Sequence, residues 1–397
     1  MSSAGRERAG PAALLSLLVL VWNSAWVSER LGFVHRPKRV QETDHLHYLE
    51  MAKGGEGRPE LAQAPPYCYR ILTPRLASLL ARTGLGLNGA FYLITNVSLF
   101  GFLMALWWLL ADLGFAVPTR AVGLLLVGLT QGPIRWFEYQ YWMSDPPCLF
   151  LLALALVLVR RDRLLPVAIL SVVAAFVRET YVLLYPCCLL AQWQRHGPGR
   201  ALVRTAAVAA LPMAIMVTLR VTIVPNQPDD FVSGVADSLA FRWRHRFDNQ
   251  LYVLSLGTWG VLLPLALLAW RRLGDALRRQ ADLVALLVMA YGTLVISNNT
   301  ERPLAYAVPA LLPAALSGFD RLVTEAGVPF RVAAAGALSV QALHYLVTCF
   351  GELGMSIYQP TSWSVVAATT GFWLAALAAL RLRTSRPEGH AAASAGQ

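Results

Sequence analysis

The sequence predicts an all-α protein, a polytopic bundle of about 11 to 12 transmembrane helices with two amphipathic surface helices in its first external loop. Of its 397 residues, 56% are hydrophobic and 14% are Asp, Glu, Lys or Arg. A soluble domain carries about 25% charged residues. Apolar runs of about 18 or more residues, long enough to cross ~30 Å of hydrocarbon, recur along the whole chain. The composition therefore favours one membrane domain, which we place at 1–385.

The first predicted span covers about 11–28. Arg6 and Arg8 precede it, so the N-terminus is expected on the cytoplasmic side. No small-residue cleavage site follows, which indicates a retained signal anchor. The first external loop at 29–87 is the least hydrophobic part of the chain.

Two segments of this loop, 42–53 and 69–82, have mixed apolar and polar faces and are predicted to lie on the membrane surface. The glycine-rich run at 54–57 is predicted to form a turn between them.

Further spans are predicted at about 88–113, 117–135, 142–160, 164–177, 181–193, 201–224, 250–270, 281–297, 302–319, 329–350 and 362–380. Arg178, Glu179 and Thr180 interrupt the region 164–193, which forms either two short spans or one broken re-entrant unit. Basic residues at alternate span ends place both termini in the cytoplasm, including a disordered tail at 386–397. The alanine- and arginine-rich composition favours a bacterial plasma membrane.

The net charge of +11 does not indicate nucleic-acid binding, because the arginines lie at span ends rather than on one face or motif. The five cysteines are odd in number and have no repeated spacing, which argues against a disulfide framework or a zinc site.

This topology brings polar residues from four membrane segments to the external face. Ionisable groups at membrane depth are costly unless they are paired or functional, so this convergence is the main functional signal. The candidate site residues are Asp44, His47, Tyr48, Arg70, Glu138, Asp145, Arg178, Glu179 and Arg302.

Asp44 is the strongest candidate for chemistry. On a helix it would share one face with His47 and Tyr48, although it could also cap the helix that follows. His45 and His47, two positions apart, point to different helix faces and would be poor co-ligands. We therefore predict no metal-ligand residues and no cofactor, and leave open whether a divalent metal assists.

The other charged candidates have structural alternatives. Asp145, before two prolines, suits a helix N-terminus. Arg178 and Glu179 could form an internal ion pair at the helix break. Arg302 begins a span at its external end, where positive charge does not help topology, which favours anion binding.

Several short motifs together resemble the GT-C superfamily of polytopic glycosyltransferases. The resemblance covers most of the chain as an order of features. The motifs are Asp44-x-x-x-Tyr48-x-x-x-Ala52, Tyr69-Arg70-Ile71-Leu72-x-Pro74, Ser144-Asp145-Pro146, Val177-Arg178-Glu179 and Glu301-Arg302.

The resemblance implies inverting transfer of a hexose or pentose from a polyprenyl-phosphate donor, at the non-cytoplasmic face of the cell envelope. An acidic residue of the first external loop serves as general base in that superfamily, a role that would fall on Asp44, with Glu42 and Glu50 as reserves. Glu42-Thr43-Asp44 is the nearest match to the paired acidic motif of clearer members. The acceptor, a lipid, glycan or protein, stays open.

The chemistry of such a donor agrees with the candidate residues. A leaving phosphate needs fixed cations, and guanidinium groups such as those of Arg70, Arg178 and Arg302 bind phosphate oxygens in pairs. A partner such as His47 or Arg70 is expected to orient Asp44. The partners implied are the donor, membrane lipids and an unknown acceptor, with no nucleic acid.

Two other functions remain open. A multi-pass transporter or lipid flippase would also carry buried charges and broken helices, but it typically has internal repeats and midplane sites. No repeat is visible here, and the charges gather at one interface. A non-catalytic envelope-assembly membrane protein is the third interpretation.

Overall fold

The computed structural model describes residues 9–31, 44–226, 256–269, 278–296, 301–347 and 363–384, with a few isolated positions between them. Within these ranges every regular element is helical, which confirms the all-α prediction. Several predicted features lie outside the described residues: Glu42, parts of the spans predicted at 250–270 and 329–350, and the tail at 386–397.

The α-helices of the described ranges are numbered in chain order. They are α1 (Ala9–Leu31), α2 (His45–Ala52), α3 (Pro59–Ala62), α4 (Leu72–Leu80), α5 (Gly86–Asp112), α6 (Val117–Gly128), α7 (Phe137–Tyr139), α8 (Asp145–Arg160), α9 (Leu164–Ala175), α10 (Leu184–His196), α11 (Pro198–Thr222), α12 (Leu262–Leu268), α13 (Ala281–Gly292), α14 (Glu301–Ala305), α15 (Val308–Thr324), α16 (Phe330–Val347) and α17 (Trp363–Thr384). Short 3-10 turns at Tyr67–Tyr69, Glu179–Leu183 and Thr293–Ile296 and wide π turns at Ala81–Leu85 and Gln131–Trp136 join some of them.

Within the part of the chain that the structure describes, three helical segments are long and apolar enough to cross a membrane: Ala9–Ser28, Leu72–Asp112 and Pro198–Thr222. Shorter apolar helices lie at Val117–Gly128, Leu164–Ala175, Ala281–Gly292 and Val366–Leu382. The apolar runs therefore form helices, while the predicted number of crossings remains a prediction.

The segment predicted as the first external loop contains helices at both places where surface helices are predicted. They are α2 and α4, and α2 packs on α4. Between them Gly54 and Gly55 adopt positive φ angles of 77° and 78°, a conformation that glycine reaches without steric cost. The second helix is not separate, because a π turn with Gly84 at φ 97° joins α4 to α5.

Helix α6 is shorter than the predicted span 117–135. It ends at Gly128, and Thr130 is extended with ψ 152°. Pro133 follows shortly, and a proline cannot supply the N–H that a regular α-helix requires. The chain therefore turns early and delivers residues 131–141 to the end of the bundle.

The predicted interruption near Arg178 is present. Helix α9 ends at Ala175, Arg178 is extended at φ −168° and ψ 139°, and a 3-10 turn leads into α10. The alternatives of two short spans or one re-entrant unit both fit these lengths.

Close helix packing forms the core. Helix α5 runs along α8, and α9, α10 and α11 pack together. Helix α15 lies so near α12 that a side chain on Gly318 would overlap the carbonyl oxygen of Leu265. This packing brings the start of α2, the turn before α4, the start of α8, the break before α10 and helix α14 to one end of the bundle.

Candidate functional site

A network of three arginines and three carboxylates occupies that end of the bundle. Each charged group comes from an element end or a helix break, because those positions project beyond the packed apolar faces. With three positive and three negative groups, the formal charges cancel. The charged residues are Asp44, Arg70, Asp145, Arg178, Glu179 and Arg302.

Asp44 is held at both carboxylate oxygens. Oδ1 accepts a 2.6 Å hydrogen bond from the Tyr67 hydroxyl, and Oδ2 accepts one from Nη1 of Arg302. Asp44 precedes α2 at the N-cap position, but its side chain makes no capping hydrogen bond. The capping interpretation is therefore wrong, because Tyr67 and Arg302 take both oxygens.

Asp44 is ionised at neutral pH. Burial alone would raise the pKa of its carboxyl, but the charge of Arg302 and the hydrogen bonds from Tyr67 and Arg302 lower that pKa to about 2. Its side chain is 23% exposed, so the residue is only partly buried. An ionised carboxylate can accept a proton from a bound hydroxyl.

Asp145, at the first turn of α8, is fully buried and meets two arginines. Its Oδ2 lies 2.8 Å from Nη1 of Arg178 and 3.1 Å from Nη2 of Arg302. The Tyr306 hydroxyl donates to Oδ1 at 3.4 Å. The helix N-terminus adds further positive potential. Arg302 thus bridges Asp44 and Asp145.

Arg70 forms the other half of the network. Its Nε donates to Glu179 Oε2 at 3.0 Å, Nη2 donates to Oε1, and Nη1 donates to the Tyr48 hydroxyl at 3.0 Å. Tyr48 in turn lies 3.0 Å from Ser144 Oγ. The alternative ion pair between Arg178 and Glu179 does not form. Instead, Glu179 pairs with Arg70 and Arg178 pairs with Asp145.

His47 supports the site indirectly. Its ring stacks on Tyr67 with centroids 4.2 Å apart, and its Nδ1 lies 2.9 Å from the carbonyl oxygen of Leu61. Asp44 has the expected orienting partners, but they are Tyr67 and Arg302 rather than His47 or Arg70. Tyr67 was missed from the sequence, since a tyrosine in a loop 23 positions after Asp44 gives no periodic signal.

Glu138 lies apart from the network. It is fully buried, and neither carboxyl oxygen has a hydrogen bond of ordinary geometry. Burial raises its pKa to about 7, an effect that the neighbouring Ser24, Asn96 and Tyr92 side chains partly oppose. Glu138 is therefore not a member of the charged network, although the prediction placed it at the same face as the other candidates.

Of the reserve acids, Glu50 already bonds to other groups. Its Oε1 pairs with Lys53 Nζ at 2.7 Å, and its Oε2 accepts the backbone N–H of Arg58 at 3.0 Å. Glu42 lies outside the described residues. Among the residues that the structure describes, no group of three or more His, Cys, Asp and Glu side chains could hold a metal ion.

An apolar groove opens directly beside the network. It has a volume of about 330 Å³ and lies between α4, α5, α8 and α9. Leu72 and Val177 line it. Leu72 is two residues after Arg70 and Val177 is one residue before Arg178, so the charged side chains lie close to one end of the apolar groove. The other lining residues are Thr73, Leu76, Leu80, Leu93, Ile94, Val97, Ser98, Pro147, Phe150, Leu151 and Val173.

The arrangement suits a ligand with a charged head and an apolar tail. Comparison of this chain with known protein families, with curated proteins and with solved structures finds no match.

Proposed function

We propose that this protein is a membrane glycosyltransferase that moves a sugar from a polyprenyl-phosphate donor to an acceptor hydroxyl, with inversion. The observation that carries the proposal is Asp44, an ionised carboxylate held by Arg302 in a network of arginines beside an apolar groove. A base, fixed cations and a lipid groove are the three parts that this chemistry needs.

The donor would lie across the boundary between groove and network. Its polyprenyl tail would occupy the groove between α4 and α9, where burial of apolar surface drives binding. Its phosphate would meet Arg70, Arg178 and Arg302, whose planar guanidinium groups match phosphate oxygens. Because each of these arginines already pairs with a carboxylate, the phosphate must replace a carboxylate partner.

Replacement at Arg302 would change Asp44. Once a phosphate takes the Arg302 guanidinium, Asp44 loses its strongest cation and becomes a better proton acceptor. Tyr67 would still hold Oδ1 and keep the carboxylate oriented. The base would thus be free to act when the donor is in place.

Transfer then follows in one displacement. The acceptor oxygen attacks the anomeric carbon from the face opposite the phosphate, and its proton passes to Asp44. The bond between the anomeric carbon and the phosphate oxygen breaks, and its electron pair leaves on the phosphate. Fixed guanidinium groups stabilise the charge that develops there.

The same proposal sets the protein in a bacterial plasma membrane as a polytopic bundle with about 11 to 12 crossings. Both termini would be cytoplasmic and the network would face outward. The basic span ends support this orientation.

The test is a transfer assay on the full chain in proteoliposomes, with a panel of radiolabelled polyprenyl-phosphate sugars and a bacterial lipid extract as acceptor. We expect a labelled product and release of polyprenyl phosphate. A parallel quenching assay follows fluorescent polyprenyl phosphate across the bilayer. Movement of this lipid without any labelled product would overturn the transferase proposal in favour of a flippase.

A further inference from the structure

A second groove lies on a neighbouring face of α5. It is formed by α1 and α5 and has a volume of about 690 Å³. Val97 lines both grooves, so α5 alone separates them. The second groove opens sideways between exposed apolar side chains, since Leu17, Val21 and Val97 are each more than half exposed.

The second groove is polar at one end and apolar at the other. Ser24, Ser28, Tyr92 and Asn96 line one end, and apolar side chains such as Leu17 and Phe100 line the rest. At 1.5 Å per residue, the α1 side is about 16 Å long. This gradient of polarity along a lateral opening matches a membrane lipid, with its head at the polar end.

The polar end faces the charged network across one aromatic wall. Tyr92 contacts Tyr141 at 5.6 Å between ring centroids, Tyr141 stacks on Trp142 at 3.8 Å, and Trp142 contacts His45 at 4.9 Å. His45 follows Asp44 in the chain. A head group in the second groove would therefore contact the first ring of a series that leads to α2, the helix directly after the proposed base.

The buried Glu138 carboxyl stands behind this polar end. Ser24, Tyr92 and Asn96 are near it and also line the groove. The Tyr92 hydroxyl donates to Ser24 Oγ at 2.8 Å, but the Glu138 oxygens have no hydrogen bond of ordinary geometry. A buried carboxyl without such bonds is costly. A ligand hydroxyl at this end of the groove would meet Ser24, Tyr92 and Asn96, the side chains that line it, rather than Glu138, which is fully buried.

We propose that the groove between α1 and α5 binds the acceptor, and that the acceptor is a lipid with a neutral, hydroxyl-bearing head. This inference rests on the proposed transferase function and names its acceptor class. None of the described residues that line this groove is Lys or Arg, which distinguishes it from the arginine-flanked groove proposed for the donor.

The experiment uses the full chain in proteoliposomes and two photoreactive probes, a diacylglycerol and a polyprenyl phosphate, with labelled peptides mapped by mass spectrometry. We expect diacylglycerol to label the α1 and α5 residues of the second groove, and polyprenyl phosphate to label the groove of α4, α8 and α9. Ala25→Trp, which fills the second groove, should reduce diacylglycerol labelling at least fivefold and leave polyprenyl-phosphate labelling unchanged.

Leu18→Trp is the matched control, because Leu18 is exposed on the same helix but does not line the groove. Diacylglycerol labelling that is scattered over the chain, or equal in both variants, overturns the acceptor inference alone. Polyprenyl-phosphate labelling between α1 and α5 overturns it as well. Failure of polyprenyl phosphate to label either groove, with diacylglycerol labelling intact, overturns the donor assignment and leaves a hydroxyl-lipid site.

Discussion

The guanidinium of Arg302 donates a hydrogen bond to the carboxylate of Asp44, 258 positions earlier in the chain. The same guanidinium lies 3.1 Å from Oδ2 of Asp145. One side chain therefore ties the start of α2 to the start of α8 and to α14. A planar guanidinium with five donors can bridge two carboxylates, whereas an ammonium is a compact point charge.

Arg302→Lys keeps the charge and removes the bridge. Because a lysine cannot serve both carboxylates and the donor phosphate, we expect the KM for a polyprenyl-phosphate sugar to rise about tenfold or more. Steady-state kinetics in proteoliposomes measure this. Arg200→Lys, on the exposed surface of α11, is the control and should not change KM. An unchanged KM in Arg302→Lys would contradict a phosphate-binding role for Arg302.

Arg70→Gln should destabilise the protein by about 2–4 kcal/mol, because it leaves Glu179 and Tyr48 without their buried cationic partner. Arg161→Gln is a matched control. Arg161 forms the same two-bond fork with Asp112, at 2.8 and 3.0 Å, but on an exposed surface, so its loss should cost less than about 1 kcal/mol. Unfolding of both variants in detergent measures the difference. Equal losses would show that Arg70 contributes no more than a surface ion pair.

The Asp44 carboxyl links stability to pH. Its pKa of about 2 lies below its usual value of 3.8, so the ionised form stabilises the fold. This contribution is fully present above about pH 4 and is lost as pH falls through 2. Melting temperatures of wild type and Asp44→Asn should therefore converge between pH 5 and pH 2. A constant gap over that range would show that Asp44 does not gain stability from Arg302 and Tyr67.

Gly318→Ala tests the packing of α15 on α12. The added Cβ would overlap the carbonyl oxygen of Leu265, and such overpacking costs about 1–3 kcal/mol. Gly371→Ala is the control, since a Cβ there meets no atom within 4 Å. The control should be neutral or gain up to about 1 kcal/mol from helix propensity. Thermal unfolding that ranks the two variants in the opposite order would contradict the described helix contact.

Hydrophobic periodicity predicted where helices occur more successfully than how they end. Apolar runs placed α5 and α8 within a few residues, because burial of long apolar stretches dominates helix position. The early end of α6 and the continuous α4–α5 segment depended on local backbone chemistry near Pro133 and Gly84. A single proline or glycine in the sequence does not show whether a helix ends there, because tertiary contacts also determine where helices end.

The candidate site was predictable in part for a similar reason. Topology predicts which end of the bundle a residue reaches, and so grouped Asp44, Asp145 and Arg302. It does not predict the position around the bundle axis, which is why Glu138 was grouped with them although it lies beside α1. Tyr67 could not be predicted, because its hydroxyl reaches Asp44 only through the fold of a short loop.

The most direct test of the central claim is sugar transfer by Asp44→Asn, measured in proteoliposomes with the donor that gives the highest wild-type rate. The substitution keeps the size of the side chain and removes its basicity. Asp112→Asn, at the exposed pair with Arg161, is the control. We predict that Asp44→Asn loses at least about a hundredfold in rate when equal amounts of folded, reconstituted variant and control are compared. Transfer at the wild-type rate by Asp44→Asn would contradict the assignment of Asp44 as the base.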